Sequence, residues 1–310
     1  REQFQINGQM ISEVDFIRYA EIIRDANDCM SDFPSEFEKA VALAFLYFKE
    51  SGCDFVVLEV GMGGSDDATN VIDVPEVAAI VNIDYDHMSF LGDTLEEIAQ
   101  KKAGIIKENG TVVMAEQTEE VMDVLAKRCH EKRADFRRTS IRNIRMIDRN
   151  IDEQVLDYKH YTGIELSLLG NHQCENAAIV LEIIDCLIEK GYEIPVDAIY
   201  DGMKAVHWQG RFEIKSKEPL FIVDGAHNPN GISALRENLD TYFKGQKFIF
   251  ITGILRDKDY RQMLQMMVPY AESFVTIQPD NPRAMNASEC SHAIRKCGFE
   301  GEIFEALTIE

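Results

Sequence analysis

The stretch FVVLEVGMGGSDDATNV, residues Phe55 to Val71, decides the fold class. An apolar run ends in Glu59 and is followed by glycines and then by acidic and amide residues. Such a run before a glycine-rich turn predicts a buried strand that leads into a loop. Ligands collect in loops at the carboxyl ends of strands in open α/β sheets. This loop carries carboxylates where a phosphate-binding loop would carry a lysine. The sequence therefore raises the question of which ligand these carboxylates would bind.

Strand and helix patterns alternate on both sides of this stretch. The predicted strands of the first half are 55–60, 77–83 and 111–115, and the predicted helices are 37–50, 95–107 and 119–131. This βαβ order predicts an α/β fold with a mostly parallel sheet covered by helices. The more polar residues 135–162 favour an antiparallel excursion, which two helices follow at 174–190 and 195–206.

The βαβ order starts again in the last third of the chain. Strands are predicted at 220–223 and 247–252, with helices at 231–243 and after Lys258. The stretch HWQGR interrupts a helical pattern at 207–211, so we place a domain boundary near Trp208. We therefore expect a larger domain over residues 1–208 and a smaller Rossmann-like α/β domain over residues 209–310, as the length of 310 residues allows.

Composition excludes several functional classes. The net charge of −22 argues against nucleic-acid and anionic-membrane binding, because both need clustered lysine and arginine. No window has the continuous apolar length of a membrane span. Seven cysteines without a C-x-x-C pair favour buried reduced thiols in the cytoplasm.

Two neighbouring strand ends carry candidate metal ligands. Glu59 ends the first predicted strand, and Asp84, Asp86 and His87 follow the strand at 77–83. A carboxylate and an imidazole from adjacent strand ends provide ligands for a Mg²⁺ ion that keeps waters and phosphate oxygens. The alternative is a tight turn with a capping aspartate, and spacing does not decide between the two.

The stretch DGAHNPNG opens the helix after the strand at 220–223. It places Asp224 and His227 at a strand end, with Asn228 as a candidate helix N-cap. The helix start would offer backbone donors to an anion. An ordinary strand-to-helix turn explains the pattern equally well. The lysines of AQKKAGIIKENG, by pattern alone, read as solvated helix residues.

Seven stretches together resemble the folylpolyglutamate synthases and dihydrofolate synthases of the Mur ligase superfamily. They occur in the family's order over nearly the whole chain: EVGMGGSDDATNV, NIDYDH with FLGDTLEEIAQKKAGIIK, LSLLGNHQCENAA, HWQGRFE, DGAHNPNG, TGILRDKDY and NPRA. The resemblance implies a Mur-ligase-like central ATPase domain followed by the Rossmann-like ligase domain.

The resemblance also implies an activity with its cofactors and partners. ATP phosphorylates the γ-carboxylate of a folate, L-glutamate attacks the acyl phosphate, and dihydropteroate is a further possible acceptor. Two Mg²⁺ sites would neutralise phosphoryl charge. We expect a cytoplasmic monomer that binds tetrahydrofolate or its polyglutamates, glutamate and ATP, with no nucleic-acid or membrane partner.

Site residues follow from the same resemblance. Glu59 and His87 resemble magnesium ligands, and Lys102 resembles the lysine that reacts with CO₂ to a carbamate able to support the second metal. Asn176 resembles an adenine contact and Arg211 a contact to the ATP phosphates. The stretch DGAHNP adds two residues: Asp224, resembling a nucleotide contact, and His227, resembling a residue of the ligation site.

Departures from the family pattern limit these expectations. Ser65 replaces an arginine found in many relatives, which leaves the choice between folate and dihydropteroate open, and Lys101 replaces a common glutamate. The family's glycine-rich phosphate loop would lie upstream of Arg1, and no G-x-x-x-x-G-K-[ST] occurs in these residues. We therefore expect weak or absent ligase activity from these residues alone.

Two alternatives come from different classes. One is a non-catalytic relative that binds folate or a partner, and the other is a Mur-type ligase that adds an amino acid to a UDP-sugar. A dehydrogenase is disfavoured because GMGGSD lacks the third glycine of a dinucleotide-binding turn.

Overall fold

The computed structural model describes residues 2–306 and divides the chain into two compact units. The first unit comprises residues 1–78, 87–112 and 118–135, and the second comprises residues 79–86, 113–117 and 136–310. Among the residues described, no helix is both long enough and apolar enough to cross a membrane.

The first unit begins with a small hairpin and two helices. These are β1 (Gln5–Ile6), β2 (Gln9–Met10), α1 (Glu13–Asn27) and α2 (Glu36–Glu50). Helix α2 confirms the helix predicted over 37–50. Its start is fixed by a capping box that Ser35 and Glu38 form. Apolar side chains from the hairpin and both helices form a core that includes Phe4, Ile11 and Leu43.

The strand predicted over residues 55–60 is wrong. These residues adopt no regular secondary structure, and the Val57 side chain is 97% exposed. An apolar run becomes a strand only when a neighbouring strand accepts its backbone hydrogen bonds and buries its side chains. No described strand does so here, so the apolar pattern is present without the pairing that the prediction assumed.

A three-stranded sheet and its helices follow. The elements are β3 (Ala78–Ile80), α3 (Met88–Leu91), α4 (Leu95–Lys102), β4 (Thr111–Met114), α5 (Glu119–Lys132) and β5 (Asp135–Arg138), and the sheet order is β3-β4-β5. The predicted helix 95–107 is shorter than expected, because the chain tightens into a 3₁₀ turn at Ala103–Ile105. The central strand β4 is buried, as its apolar run predicts.

The second unit contains an antiparallel sheet packed on two helices. Its first elements are β6 (Ile144–Arg149), β7 (Gln154–Tyr158), β8 (Tyr161–Leu166), α6 (Asn171–Glu189) and α7 (Val196–Ala205). Strand β7 pairs antiparallel with both neighbours, which confirms the predicted excursion. Leu156, Ile164 and Leu181 are fully buried where the sheet meets α6.

The remaining elements of the second unit form a hairpin and a parallel sheet. They are β9 (Glu213–Lys217), β10 (Leu220–Val223), α8 (Pro229–Tyr242), β11 (Phe248–Thr252), α9 (Tyr260–Met267), β12 (Ala271–Thr276), α10 (Ala287–Lys296) and β13 (Glu302–Glu305). Strands β11, β12 and β13 pair in parallel, as the βαβ order predicts. Strand β10 instead pairs antiparallel with β9, so it belongs to a hairpin.

The cysteines agree only in part with the sequence expectation. All seven are free thiols. Four are buried, whereas Cys29 is exposed and Cys53 and Cys297 are half-buried. Burial raises the pKa of Cys129 to about 11, so this thiol is held in its protonated form.

Candidate functional site

The turn HWQGR and the loop DGAH are joined through the carboxylate of Asp224. One oxygen accepts the backbone N–H of Phe212 at 2.9 Å, and the other accepts the N–H of Ala226 at 2.8 Å. Phe212 is buried and has a positive φ of 47°, which is unfavourable for a bulky residue. Asp224 therefore holds a strained turn in place as well as offering a charge.

The hydrogen bonds of Asp224 bring three of the predicted site residues into one region of the second unit. The N–H of Gly225 donates to the carbonyl of Gly210 at 2.7 Å, which places the two loops side by side. A Cβ on Gly225 would lie 2.7 Å from Nη1 of Arg211, so the guanidinium lies directly against this loop. His227 is exposed, and its Nδ1 lies 2.9 Å from the carbonyl oxygen of Gly225. Arg211, Asp224 and His227 thus form one cluster.

His172, in the first turn of α6, is a functional candidate that the sequence reasoning did not select. Burial lowers the pKa of His172; Asp224 and Glu237 oppose this effect, and Arg211 reinforces it. His172 therefore interacts electrostatically with two residues of that cluster, Arg211 and Asp224. The signal was present in the stretch GNHQCENAA, where only Asn176 was chosen.

Three hydrogen bonds fix the start of α6. Gln154, which is fully buried, donates from Nε2 to the carbonyl of Gly170 at 3.1 Å. The hydroxyl of Tyr242 donates to Oε1 of Gln154 at 2.9 Å and accepts the N–H of Gly170 at 3.2 Å. The start of a 19-residue helix presents unpaired backbone N–H groups, and its position beside His172 suits an anion.

Asn176 lies one turn further along α6 and is exposed. Its Nδ2 donates to Oε1 of Gln173 at 3.2 Å. Both side chains line an apolar cavity of about 360 Å³ between α6, α7 and the end of β8. An amide at the edge of an apolar cavity suits a flat ring with polar edges.

Asp86 links three segments of the second unit. Its Oδ2 accepts Nδ2 of Asn228 at 3.3 Å, and its Oδ1 lies 3.5 Å from Nζ of Lys258. Asn228 also caps α8 by accepting the N–H of Gly231 at 2.8 Å, as predicted for an N-cap. The Asp86 carboxylate, expected to be a metal candidate, is therefore engaged by an amide and an ammonium group.

The acidic loop of the first unit is shaped by Asp67. Its carboxylate accepts the N–H of Met62 and the N–H of Thr69, both at 2.9 Å, and the Thr69 hydroxyl at 2.6 Å. Burial raises the pKa of Asp67, but these hydrogen bonds outweigh it and leave that pKa below its ordinary value. Asp67 is thus the capping aspartate of a tight turn, which is the alternative that spacing left open.

The glycines of this loop let it pack closely against the end of α4. A Cβ on Gly64 would lie 2.8 Å from the carbonyl oxygen of Lys101 and 2.9 Å from that of Lys102. The N–H of Ser65 donates to the carbonyl of Lys101 at 3.0 Å. A Cβ on Gly104 would lie 2.3 Å from Cα of Ser65, so this approach needs glycine. The loop and the Lys102 segment form one substructure.

The three magnesium-site residues implied by the family resemblance all lie in the first unit. Glu59 is exposed at the end of the unpaired 55–60 segment, and Lys102 is half-buried as the last residue of α4. His87 precedes α3 with a positive φ of 50°. Within residues 2–306, no three His, Cys, Asp or Glu side chains converge on one point. Glu59 and His87 would supply one carboxylate and one imidazole. A Mg²⁺ ion that they held would take its remaining ligands from waters or substrate oxygens.

Two domain families match this chain. The sequence profile of the Mur ligase middle domain matches residues 29–184. The profile of the Mur ligase glutamate ligase domain matches residues 210–309. The two matches cover both clusters described above.

Curated relatives are similar over most of this chain. The dihydrofolate synthase/folylpolyglutamate synthase of Bacillus subtilis is 32% identical over 93% of this chain and 69% of its own length. The folylpolyglutamate synthase of Lacticaseibacillus casei is 33% identical over 90% of this chain and 66% of its own length. The dihydrofolate synthase/folylpolyglutamate synthase of Mycobacterium tuberculosis is 35% identical over 81% of this chain and 54% of its own length. The chain thus spans part of the length of each.

Solved structures are similar as well. A folylpolyglutamate synthase of Mycobacterium tuberculosis complexed with ADP has a TM-score of 0.86 at 31% identity, covering 98% of this chain and 70% of that one. An FPGS–AMPPCP–folate complex has a TM-score of 0.82 at 28% identity, covering 98% of this chain and 77% of that one.

Proposed function

Because the chain belongs to the Mur ligase family, among the folylpolyglutamate and dihydrofolate synthases, we propose that it acts in ATP-dependent glutamate ligation to a folate. The observation that supports this most is the joining of Arg211, Asp224 and His227 through the Asp224–Phe212 hydrogen bond. The acceptor is the γ-carboxylate of a folate, with the carboxylate of dihydropteroate as a further acceptor. Relatives named for both activities support that second acceptor.

The second unit holds the nucleotide and the ligation chemistry. The Arg211 guanidinium donates to phosphate oxygens, for which its planar fork is suited. The start of α6 adds backbone donors, and His172, kept neutral by burial, adds a hydrogen-bonding group without a further charge. Asn176 contacts the adenine at the mouth of the apolar cavity.

Two bonds form and two break in the proposed sequence. A carboxylate oxygen of the folate attacks the γ-phosphorus of ATP and ADP leaves. The amine of glutamate then attacks the acyl carbon, and the acyl C–O bond breaks as the amide forms, so that phosphate leaves as hydrogen phosphate with the second amine proton. The ammonium group of glutamate must lose a proton before it attacks, and exposed His227 lies in the cluster where that proton would be accepted. Asp224 holds the turn that aims Arg211.

The proposed metal ligands all belong to the first unit. Glu59 and His87 would hold one Mg²⁺, and a carbamate on Lys102 would support a second. Bound Mg²⁺ would neutralise the phosphoryl charge that develops during transfer. The close packing of the Gly64 loop on the carbonyl groups of Lys101 and Lys102 supports a fixed position for the lysine. We also propose the domain division at residues 208 and 209 and a cytoplasmic location.

A substrate panel tests the proposal. The 310-residue chain is titrated with an ATP analogue, and ligation is assayed with tetrahydrofolate and dihydropteroate against radiolabelled glutamate, alanine and diaminopimelate. We expect nucleotide binding that Arg211→Gln weakens and Lys244→Gln, an exposed control, leaves unchanged. Incorporation of alanine or diaminopimelate in preference to glutamate would contradict the folate assignment, and nucleotide binding that Arg211→Gln leaves unchanged would contradict the proposed role of the Arg211 cluster.

A further inference from the structure

Two of the family stretches, TGILRDKDY and NPRA, have no role in the function proposed above. In the structure they form a pair of loops that are bonded to each other. The N–H of Met285 donates to the carbonyl of Ile254 at 2.9 Å. The Arg283 guanidinium donates to the Asp257 carboxylate at 2.7 Å. These bonds fix the loop that carries Lys258.

The ammonium group of Lys258 lies beside the Asp86 carboxylate, 3.5 Å from its Oδ1. Nδ2 of Asn228 donates to Oδ2 of the same carboxylate at 3.3 Å. All three residues belong to the second unit, and each lies in a loop that follows a strand, namely β3, β10 and β11. Open α/β sheets bind ligands in loops after the carboxyl ends of their strands. The Asp86 carboxylate therefore lies where a ligand group can be bound.

Neither of these two donors holds the Asp86 carboxylate tightly. Charge-assisted N–H···O contacts are typically about 2.7–2.9 Å long, which is shorter than both distances here. The side chain of Asp86 is 35% exposed, and that of Lys258 is 19% exposed. A ligand can therefore reach the carboxylate, and an incoming donor can take the place of Lys258.

The groups around Asp86 favour an ammonium group over a metal ion. Lys258 places a primary ammonium against the carboxylate, so Asp86 already accepts the kind of donor that an amino acid carries. A divalent cation at the same oxygens would face the positive charge of Lys258 and the amide hydrogens of Asn228, and both would repel it.

We propose that Asp86 binds the ammonium group of the incoming amino acid and holds it for ligation. The proposal rests on the function proposed above and adds a binding residue to the same site. Asn228 immediately follows His227, the residue placed to accept the amine proton. An ammonium group bound at Asp86 lies next to the loop that contains His227, and Lys258 moves aside for it. Asp86 remains a carboxylate throughout and takes no proton.

Two ligands that differ only in the amine test the proposal. L-Glutamate and glutarate share the carbon chain and both carboxylates, and only glutamate carries an ammonium group. Their binding to the 310-residue chain is measured by ligand-observed NMR titration without ATP or folate. We expect the wild type to bind glutamate more tightly than glutarate. Asp86→Asn should weaken glutamate binding by about tenfold and change glutarate binding by less than about twofold, because a charged hydrogen bond to the amine is lost.

Two further variants separate ligand binding from folding. Asp86→Glu keeps the carboxylate and should retain a preference for glutamate over glutarate. Asp148→Asn removes an exposed aspartate elsewhere in the same unit and should leave both affinities unchanged. Thermal unfolding shows that each variant is folded.

Three results would overturn the proposal. They are a wild type that binds neither ligand or both equally, losses in Asp86→Asn that are equal for glutamate and glutarate or are matched by Asp148→Asn, and a folded Asp86→Glu without the preference. The proposed function is tested separately, by nucleotide binding in Arg211→Gln. Nucleotide binding that depends on Arg211, with glutamate binding that does not depend on Asp86, removes the Asp86 proposal alone. The opposite pair of results removes the proposed function alone.

Discussion

The Asp224 carboxylate accepts the backbone N–H of Phe212 at 2.9 Å, and this bond joins the two loops that contain Arg211 and His227. Phe212 is buried with a φ of 47°, a conformation that a phenylalanine adopts only when its surroundings impose it. Asp224 therefore has a structural role that is separable from any contact with a nucleotide.

The first prediction follows from that role. Asp224→Ala should lower the free energy of unfolding by about 2 kcal/mol, because two backbone N–H groups lose a charged acceptor. Asp224→Asn keeps one acceptor oxygen and should lose about half as much. Urea unfolding measures both, with the exposed Asp123→Ala as control. If Asp224→Ala were as stable as the wild type, the turn at Phe212 would not depend on the Asp224 carboxylate.

Gly104 and Gly202 give a matched pair of glycine substitutions. Gly104→Ala should destabilise the first unit by about 2 kcal/mol, because its Cβ would lie 2.3 Å from backbone Cα of Ser65. Gly202→Ala should be stabilising by up to about 1 kcal/mol, since it lies inside α7 with nothing within 4 Å of the added carbon. Thermal unfolding of both variants checks the sign, and a stable Gly104→Ala would disprove the close packing of the loop.

Asp67 predicts an acid-sensitive loop. Its pKa is lower in the folded state than in the unfolded chain, so its stabilisation is complete above the ordinary aspartate pKa and is lost as pH falls through the lowered value. The protection factors of the Met62 and Thr69 amides against hydrogen exchange, corrected for the intrinsic pH dependence of exchange, should therefore fall in that acidic range. In Asp67→Asn the protection factors of these two amides should already be lower than in the wild type at neutral pH, and they should change little further in acid. Equal protection in both proteins would contradict the role of the carboxylate.

The lowered pKa of His172 predicts a second loss of folding stability as pH falls, in a higher pH range than that of Asp67. Burial lowers its pKa in the folded protein, so between that value and about 6.5 the unfolded chain binds a proton that the folded chain does not. Stability should decrease as pH falls below about 6.5. Urea unfolding of His172→Gln should lack this component, and an unchanged pH profile in the variant would place its origin elsewhere.

The proposed metal ligands predict weaker binding of a divalent probe. Glu59→Gln and His87→Asn should each weaken Mn²⁺ binding in the presence of an ATP analogue by at least about tenfold, because each removes a direct ligand. Electron paramagnetic resonance of free Mn²⁺ measures the affinity. Asp73→Asn, an exposed aspartate of the same unit, serves as control, and an equal loss there would indicate charge alone.

The sequence predicted most helices well, because their signals are local. Apolar spacing and the alternation of strands and helices placed α2 and α5 within one residue of their observed ends. The strand predicted over 55–60 is wrong because a strand depends on a partner that is distant in the chain. Strand β10 was identified at its correct residues, but its antiparallel partner β9 was not.

For the site, the sequence by itself determined which residue types are available and the order of the motifs that show the family. Only the tertiary structure decided their roles. It assigned Asp67 to a turn, engaged Asp86 with Asn228 and Lys258, and added His172 to the Arg211 cluster. The physical reason is that a carboxylate or imidazole takes its function from the donors, charges and burial around it, and those come from segments far apart in the chain.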